Sequence, residues 1–392
     1  MKRKCAVWGC RMSGQQLALQ AASVGYEIIA FCSSNETSQG RQINGLMVIS
    51  PEELKRRYLI GEIDCILLGI KNQVYRKEVE EIIKENFPDS LPVISADPIE
   101  NDYLIKVRDE LQFRWEIDFE KQASAWLQDF SSEVDFWVKS VAAPKGNDHW
   151  DYVRRIENID FCGIDPTVMT YAKSLGAGSI VMDIGCGLVP LYGSRLPDLE
   201  TIQILSVDPL APFYNRINQK CAAGKVKLCA FGLFEFIANF YKENYCDVIL
   251  INNALDHCID PYKSIIECLY VLKKGGKMRL RHRRSEAVYE AYYGLHKWNI
   301  DYSGRDELII WNQENAVNVS ECLREIADIK LEHTGDQEPR DIQLITAEIT
   351  KKKDFQLENF FEMRKEQRQL AFLIEGLMNW IAEHDNSYLA EL

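Results

Sequence analysis

The chain is expected to be an α/β protein with two doubly wound sheets, a small N-terminal one and a larger seven-stranded one, followed by a C-terminal helix. Three observations predict this. Residues 4–97 alternate short apolar runs with helix-length amphipathic stretches, the pattern of a parallel sheet with helical crossovers. A second series begins where the apolar run Val181-Met182-Asp183-Ile184 enters the glycine turn Gly185-Cys186-Gly187, and the same alternation continues to residue 350. Beyond Lys353, the apolar residues Phe360, Met363, Leu370, Leu373, Ile374, Leu377, Met378 and Ile381 recur at the spacing of one helical face. With 392 residues, 46% of them hydrophobic, the chain can bury a large core, and its length favours two or three domains over one. The expected division is 1–98, a helical linker or lid at 99–165, a core at 166–353 and the C-terminal helix at 354–392.

In order along the chain, strands are expected at 5–9, 27–32, 47–49, 64–70 and 92–95, with helices at 14–24, 51–58 and 74–86. Together they make a Rossmann-like unit. Its first turn, Gly9-Cys10-Arg11-Met12-Ser13-Gly14, keeps the outer glycines of a dinucleotide fingerprint but puts Arg11 where bare backbone is needed. The second strand ends in Ser33-Ser34-Asn35 with no acid for a ribose, so a nicotinamide cofactor is disfavoured. The glycines and apolar positions of Trp8 to Gly14, Gly25 to Phe31 and Gly40 to Leu54 resemble the N-terminal domain of sugar O-acyltransferases. That resemblance implies a nucleotide-linked sugar as ligand. A ligand-free scaffold used for docking is the other interpretation.

Residues 98–165 form a bridge rich in Trp, Phe and charge, helical at 120–130 and 133–141 and broken at Lys145-Gly146-Asn147-Asp148. The core should place strands at 179–185, 203–208, 225–231, 246–252 and 276–282, and its last two at 328–333 and 342–350. Helices are expected at 212–222, 234–243, 260–273 and 318–327. Asp260-Pro261 suits an N-cap followed by Pro in the first helical turn. The apolar stripe of 354–384 should pack on its own domain or on a second subunit, and a homodimer is one expectation.

A strand running into a glycine turn lets a ligand press against bare backbone, and a carboxylate ending the next strand, as in Val207-Asp208-Pro209, can accept hydrogen bonds from two ribose hydroxyls. These residues make a nucleoside site. From Trp115 to Lys352 the chain resembles the class I S-adenosylmethionine (SAM)-dependent methyltransferases. The resemblance implies that Asp183, Gly185 and Gly187 lie under the amino-acid end of SAM, that Asp208 holds the ribose, and that the final strand returns antiparallel. It also implies that Glu235, in Phe231-Gly232-Leu233-Phe234-Glu235, lies beside the adenine, that Asn253 contacts SAM, and that Trp126, Phe136, Trp137 and Trp150 belong to a lid. The sequence departs from the family pattern at Gly232-Leu233-Phe234-Glu235 and at Leu188-Val189-Pro190, where a third glycine is usual.

Ligands of doubly wound sheets collect outside the carboxyl ends of the strands, so acceptor chemistry is expected just past strands four and five. His257, in Asn252-Asn253-Ala254-Leu255-Asp256-His257, is a candidate base or a histidine bonded at a helix start. His282, Glu286, His296 and Trp298 match a pattern shared by a subset of bacterial methyltransferases of surface-polysaccharide type. The resemblance implies methyl transfer to a hydroxyl of a sugar, nucleotide-sugar or polysaccharide precursor, with His257, His282, Glu286 and His296 catalytic. A structural cap with internally satisfied polar groups is the alternative for this segment. Lys277, Arg279, Arg281, Arg283 and Arg284 could pair with a diphosphate on the acceptor, or be solvated surface charge, the latter especially for Arg283 and Arg284. Methyl transfer from a sulfonium requires no metal, and no His-x-x-x-His or paired-cysteine spacing occurs.

The net charge of −13 disfavours nucleic acid as the main partner, since that affinity comes from Lys and Arg neutralising phosphates. Twelve cysteines without Cys-x-x-Cys pairs suggest a reducing compartment. No run approaches the ~20 apolar residues of a membrane span, and the start is too weakly apolar for a signal peptide. A cytoplasmic enzyme acting on a small molecule is the expectation. A non-catalytic SAM-fold binding or scaffold protein is the rival.

Overall fold

The computed structural model describes residues 2–142, 173–188, 201–221 and 228–390. The chain divides into two compact units, Met1–Leu111 with Gly335–Gln343, and Gln112–Thr334 with Leu344–Leu392.

The first unit is a six-stranded sheet built from β1 (Arg3–Trp8), α1 (Met12–Ser23), β2 (Tyr26–Cys32), β3 (Gln42–Ile43), β4 (Leu46–Ile49), α2 (Pro51–Leu59), β5 (Cys65–Leu68), α3 (Gln73–Asn86), β6 (Val93–Ser95) and α4 (Ala96–Glu110). Its order is β3-β4-β2-β1-β5-β6, parallel except for the β3–β4 hairpin. The central strands are buried on both faces, as a parallel sheet covered by helices requires: Cys5, Ala6 and Val7 are wholly inaccessible. The Ser50 hydroxyl accepts from the Glu53 amide and Pro51 occupies the first turn, so α2 starts where its capping chemistry dictates. Gly14 lies so near Gly9 that a Cβ would meet the Gly9 carbonyl oxygen, which assigns those glycines to close backbone packing. The helix α4, expected to belong to the linker, lies in this unit and moves its boundary to Leu111. Within the unit Arg108 pairs with Asp336 at 2.8 Å, and Gln343 donates to the Asn101 side chain at 3.1 Å.

The second unit opens with α5 (Phe119–Ala142) and continues through β7 (Ile180–Ile184), β8 (Gln203–Asp208), α6 (Ala211–Cys221), β9 (Ala230–Phe231), β10 (Cys246–Asn252), α7 (Pro261–Val271), β11 (Leu272–Arg283) and α8 (Glu286–Tyr289). Then come β12 (Asn299–Tyr302), β13 (Leu308–Trp311), β14 (Ala316–Asn318), α9 (Val319–Leu323), β15 (Ala327–His333), β16 (Leu344–Lys351) and α10 (Met363–Ala390). The main sheet is seven-stranded, ordered β15-β16-β11-β10-β7-β8-β9. β16 runs antiparallel to both neighbours while the strands from β11 to β9 are parallel, so the final strand does return against the rest. Asp260 caps α7 by accepting from the Lys263 amide at 2.9 Å, with Pro261 next.

Four expectations change. Helix 234–243 is a 3-10 turn over Phe234–Asn239 with Phe236 off helical geometry, in which the Ala238 amide donates to the Glu267 carboxylate at 3.0 Å. Helix 318–327 shrinks to α9, capped by Asn318. The C-terminal helix begins at Met363 and not at 354, since Phe355 and Leu357 turn into the core. A separate antiparallel sheet, β12-β13-β14, appears where no strands were expected. Trp150, the break at 145–148, part of the third core strand, and Val189 and Pro190 lie outside the described residues. Among the described residues no helix is long and apolar enough to cross a membrane.

Candidate active site

The carboxyl ends of β7, β8 and β10 open into a cavity of 570 Å³ in the second unit. Asp183, Gly185, Gly187, Asp208, Glu235 and Asn253 all line it, so residues far apart in sequence meet where a parallel sheet gathers ligands. Gly185 and Gly187 have φ of 72° and 65°, a left-handed backbone that side chains resist. A Cβ at Gly185 would lie 2.4 Å from the Ala254 Cβ, and one at Gly187 2.7 Å from the Trp137 ring. Each position demands glycine twice over, by torsion and by space.

Asp208 is held by backbone donors: Oδ2 accepts from the Gly187 amide at 3.0 Å and Oδ1 from the Leu210 amide at 2.8 Å. Burial pushes its carboxyl up to about 7, against the pull of those amides. Glu235 is likewise buried and pushed up to about 7 by desolvation, and its Oε1 accepts from the amides of Ile259 (2.6 Å) and Asp260 (3.2 Å). That oxygen fixes the turn before α7. Asn253, at φ 50°, accepts from the Arg283 amide and donates its own amide to the Arg281 carbonyl, pinning the end of β10 to β11.

At the other end of the cavity stand His257, Glu286 and His296, brought together from the loop after β10, the start of α8 and the segment before β12. They gather round Asp256, which is wholly inaccessible. Nδ1 of His296 lies 2.7 Å from Asp256 Oδ2 and 3.1 Å from Nε2 of His257, which is itself 3.7 Å from that oxygen. Burial would raise the Asp256 carboxyl, but the charges of His257, His296 and His282 and the hydrogen bond to His296 hold it well below the usual range. Burial opposes charge on His296 too, yet the Asp256 hydrogen bond and charge push it up to about 9. Glu286 is pushed up to about 7, first by desolvation and then by the Asp256 charge.

The backbone of this cluster is anchored at three successive carbonyls. Those of Asp256, His257 and Cys258 accept from the Lys297 amide, the Trp126 indole and the Trp298 indole, at 3.1, 2.7 and 2.9 Å. α5 covers the cavity from the side: Trp126, Glu133, Phe136 and Trp137 line it, and Trp137 donates to Glu133 Oε1 at 2.6 Å.

Other expected residues fall elsewhere. His282 does not line the cavity. The alternation of β11 places Met278, Leu280 and His282 on the buried face, leaving His282 1% exposed with its Nδ1 3.9 Å from Asp256 Oδ1. Burial pulls its imidazole down to about 4. Arg284 is neither a phosphate ligand nor solvated: it is buried and paired with Asp301 at 2.9 Å. Lys277 pairs with Glu348, Arg281 is exposed, and only Arg283 of the basic cluster reaches the cavity. Trp298 is packing, stacked on Trp115 at 4.8 Å between ring centroids. Sequence reasoning missed Asp256 and Glu133 as organisers. Asp256 directly precedes a singled-out histidine, whereas Glu133 had no local signal beyond its place on an amphipathic helix.

Residues 182–280 match the family model described as "Methyltransferase domain", and residues 1–89 match that described as "C2185-like, N-terminal". No curated protein matches this chain in sequence. Among solved structures it is similar to the N-methyltransferase NodS from Bradyrhizobium japonicum in complex with S-adenosyl-L-homocysteine, at 14% identity over 51% of this chain and 96% of that one, TM-score 0.33. A SAM-dependent methyltransferase from Aquifex aeolicus is similar at 15% identity over 50% and 96%, TM-score 0.30. UDP-D-quinovosamine 4-dehydrogenase from Vibrio fischeri is similar at 24% identity over 24% and 78%, TM-score 0.21. The family match thus falls on residues 182–280, the stretch that carries β7 to β11 of the seven-stranded sheet and the cavity-lining residues Asp183, Gly185, Gly187, Asp208, Glu235 and Asn253.

Proposed function

We propose that the protein transfers a methyl group from SAM to a hydroxyl of a sugar, nucleotide-sugar or polysaccharide precursor. One observation carries this proposal: a single cavity joins the bare glycine turn and Asp208 at one end to His257, Glu286 and His296 at the other. The residues present fit SAM. Each Asp208 oxygen accepts one amide and keeps a further lone pair for a ribose hydroxyl, and the turn at Gly185–Gly187 offers backbone with no side chain in the way. The cavity is of the size that encloses a cofactor-sized ligand.

SAM, when bound, supplies an electrophilic methyl group on a sulfonium. The chain supplies position and a proton acceptor. His257 and His296, held rigidly through Asp256 and the anchored carbonyls, orient the acceptor hydroxyl. The buried Glu286 Oε2, which has no hydrogen-bond partner, takes its proton. Alignment of this kind can remove on the order of 7–11 kcal/mol of barrier. Arg283 and the exposed ring of Tyr293 line the same cavity, offering a guanidinium for a phosphate and an aromatic face for a sugar.

Incubating the protein with isotopically labelled SAM and a panel of nucleotide-sugars, then reading the mass gain of one methyl group, tests the acceptor class. Methylation of a non-sugar hydroxyl alone would remove the sugar assignment. Failure to bind either SAM or S-adenosylhomocysteine would remove the whole proposal.

A further inference from the structure

The donor atoms of Asp256, His257 and His296 lie within 4.8 Å of one another, closer than three unconnected polar side chains need to be. Their separations are 2.7, 3.1 and 3.7 Å. Ligand atoms bound about 2.0–2.1 Å from one divalent ion stand roughly 2.8–3.4 Å apart in octahedral or tetrahedral geometry, which those three edges bracket. Hydrogen bonding alone serves the trio poorly. One proton on Nδ1 of His296 cannot point at both Asp256 Oδ2 and Nε2 of His257, whereas a single cation would satisfy all three lone pairs.

A second observation concerns the atoms behind the trio. Asp256 Oδ1, both ring nitrogens of His282 and Glu286 Oε2 have no hydrogen-bond partner, and their residues are 0%, 1% and 5% exposed. A buried polar group left uncompensated is costly, and several in one place call for an explanation. The arrangement is also that of supported metal ligands. His282 stands 3.9 Å behind Asp256, and the Glu133 carboxylate faces Nδ1 of His257 at 3.8 Å, leaving Nε2 directed at the trio.

We propose that Asp256, His257 and His296 bind one divalent first-row transition metal ion. Two imidazoles and one carboxylate suit Zn²⁺ or Fe²⁺ better than Mg²⁺ or Ca²⁺. Because His257 and His296 line the cavity and Asp256 lies behind them, the open coordination positions face the place given above to the acceptor hydroxyl. Resting on the methyl-transfer proposal, the ion there would bind that oxygen and acidify its proton for Glu286.

The test uses the full chain stripped with chelator and desalted. Co²⁺ is titrated as a spectroscopic probe, then displaced with Zn²⁺. One Co²⁺ per chain is expected, with visible d–d bands and no thiolate charge-transfer band, and with affinity weakened at least about tenfold in each of His257→Ala and His296→Ala. His257→Gln and His296→Gln probe the same atoms should the alanine variants fail to fold. No saturable uptake, uptake through thiolates, or affinity unchanged in these variants overturns the proposal. S-adenosylhomocysteine binding by the same stripped protein is measured separately. Cofactor binding without cobalt removes the metal and leaves the methyltransferase proposal standing, and cobalt without cofactor does the reverse.

Discussion

Asp208 carries two loads at once, closing the glycine turn through the Gly187 amide and offering its remaining lone pairs to the cavity. Replacing it with Asn should weaken S-adenosylhomocysteine binding at least ~100-fold by calorimetry, since two charge-assisted hydrogen bonds at about 1.5–3 kcal/mol each are at stake. Its carboxyl is raised to about 7 by burial, and ribose hydroxyls prefer the ionised form, so affinity should rise as pH increases through that value. The sign for stability is opposite. A folded pKa above the unfolded one gives Asp208 a stabilising contribution that is complete below the unfolded value and lost as pH rises towards about 7. Glu286→Gln should lower kcat by ~10²–10⁴-fold with cofactor affinity retained, a separation that steady-state kinetics and calorimetry would show together. Gly187→Ala forces a side chain into left-handed backbone against the Trp137 ring, and should cost about 1–3 kcal/mol in urea unfolding. Asp183, Gly185, Gly187 and Asp208 were legible because each sits at the end of an apolar strand, where one short window contains the whole signal. His282 was misplaced although its parity with Met278 and Leu280 was already in the sequence. Asp256 could not be singled out, because its importance arises from three histidines converging across separate segments.

α5 brings Glu133 and Trp137 to the cavity, and α10 packs against it. Leu373, Leu377 and Ile381 of the expected stripe are buried whereas Met378 is exposed, and Trp380 packs its ring near Phe130 and Phe213, with centroids 5.7 and 6.4 Å away. Of the two expectations for that stripe, packing on its own domain is the one observed. At Gly376 a Cβ would stand 2.3 Å from the Leu127 side chain. Gly376→Leu should therefore part the two helices, lowering stability by about 1–3 kcal/mol and weakening cofactor binding as Trp137 shifts, which urea unfolding and calorimetry on one sample would report. Helices of this length announced themselves through periodicity. The sheet β12-β13-β14 did not, because its strands have four, four and three residues and fall below the window in which alternation can be read. Its only local sign was the buried run Leu308–Trp311 between the turn-rich segments 303–306 and 312–315.

Across the whole molecule, the two doubly wound sheets followed from the alternation of strand and helix patterns, but the membership of Gly335–Gln343 in the first unit did not. Gly335–Gln343 lies in sequence between β15 and β16 of the second unit and belongs to the first, where Arg340 is 5% exposed and Asp336 pairs with Arg108. Nothing in its composition marks such a membership, since Asp, Pro and Gln there look like any hairpin loop. A fragment of residues 1–111 fused through a flexible linker to 335–343 should withstand more urea than the same fragment without it, by about 1–3 kcal/mol for a buried charged pair and its hydrogen bonds. That borrowed segment also sets a timetable. A ribosome releases the chain from its amino end at about 5–20 residues per second, and domains tend to fold as they emerge. The amino-terminal sheet would be fully exposed long before Gly335–Gln343 is translated, so its last native contacts must wait until every strand of the second unit up to β15 has been made.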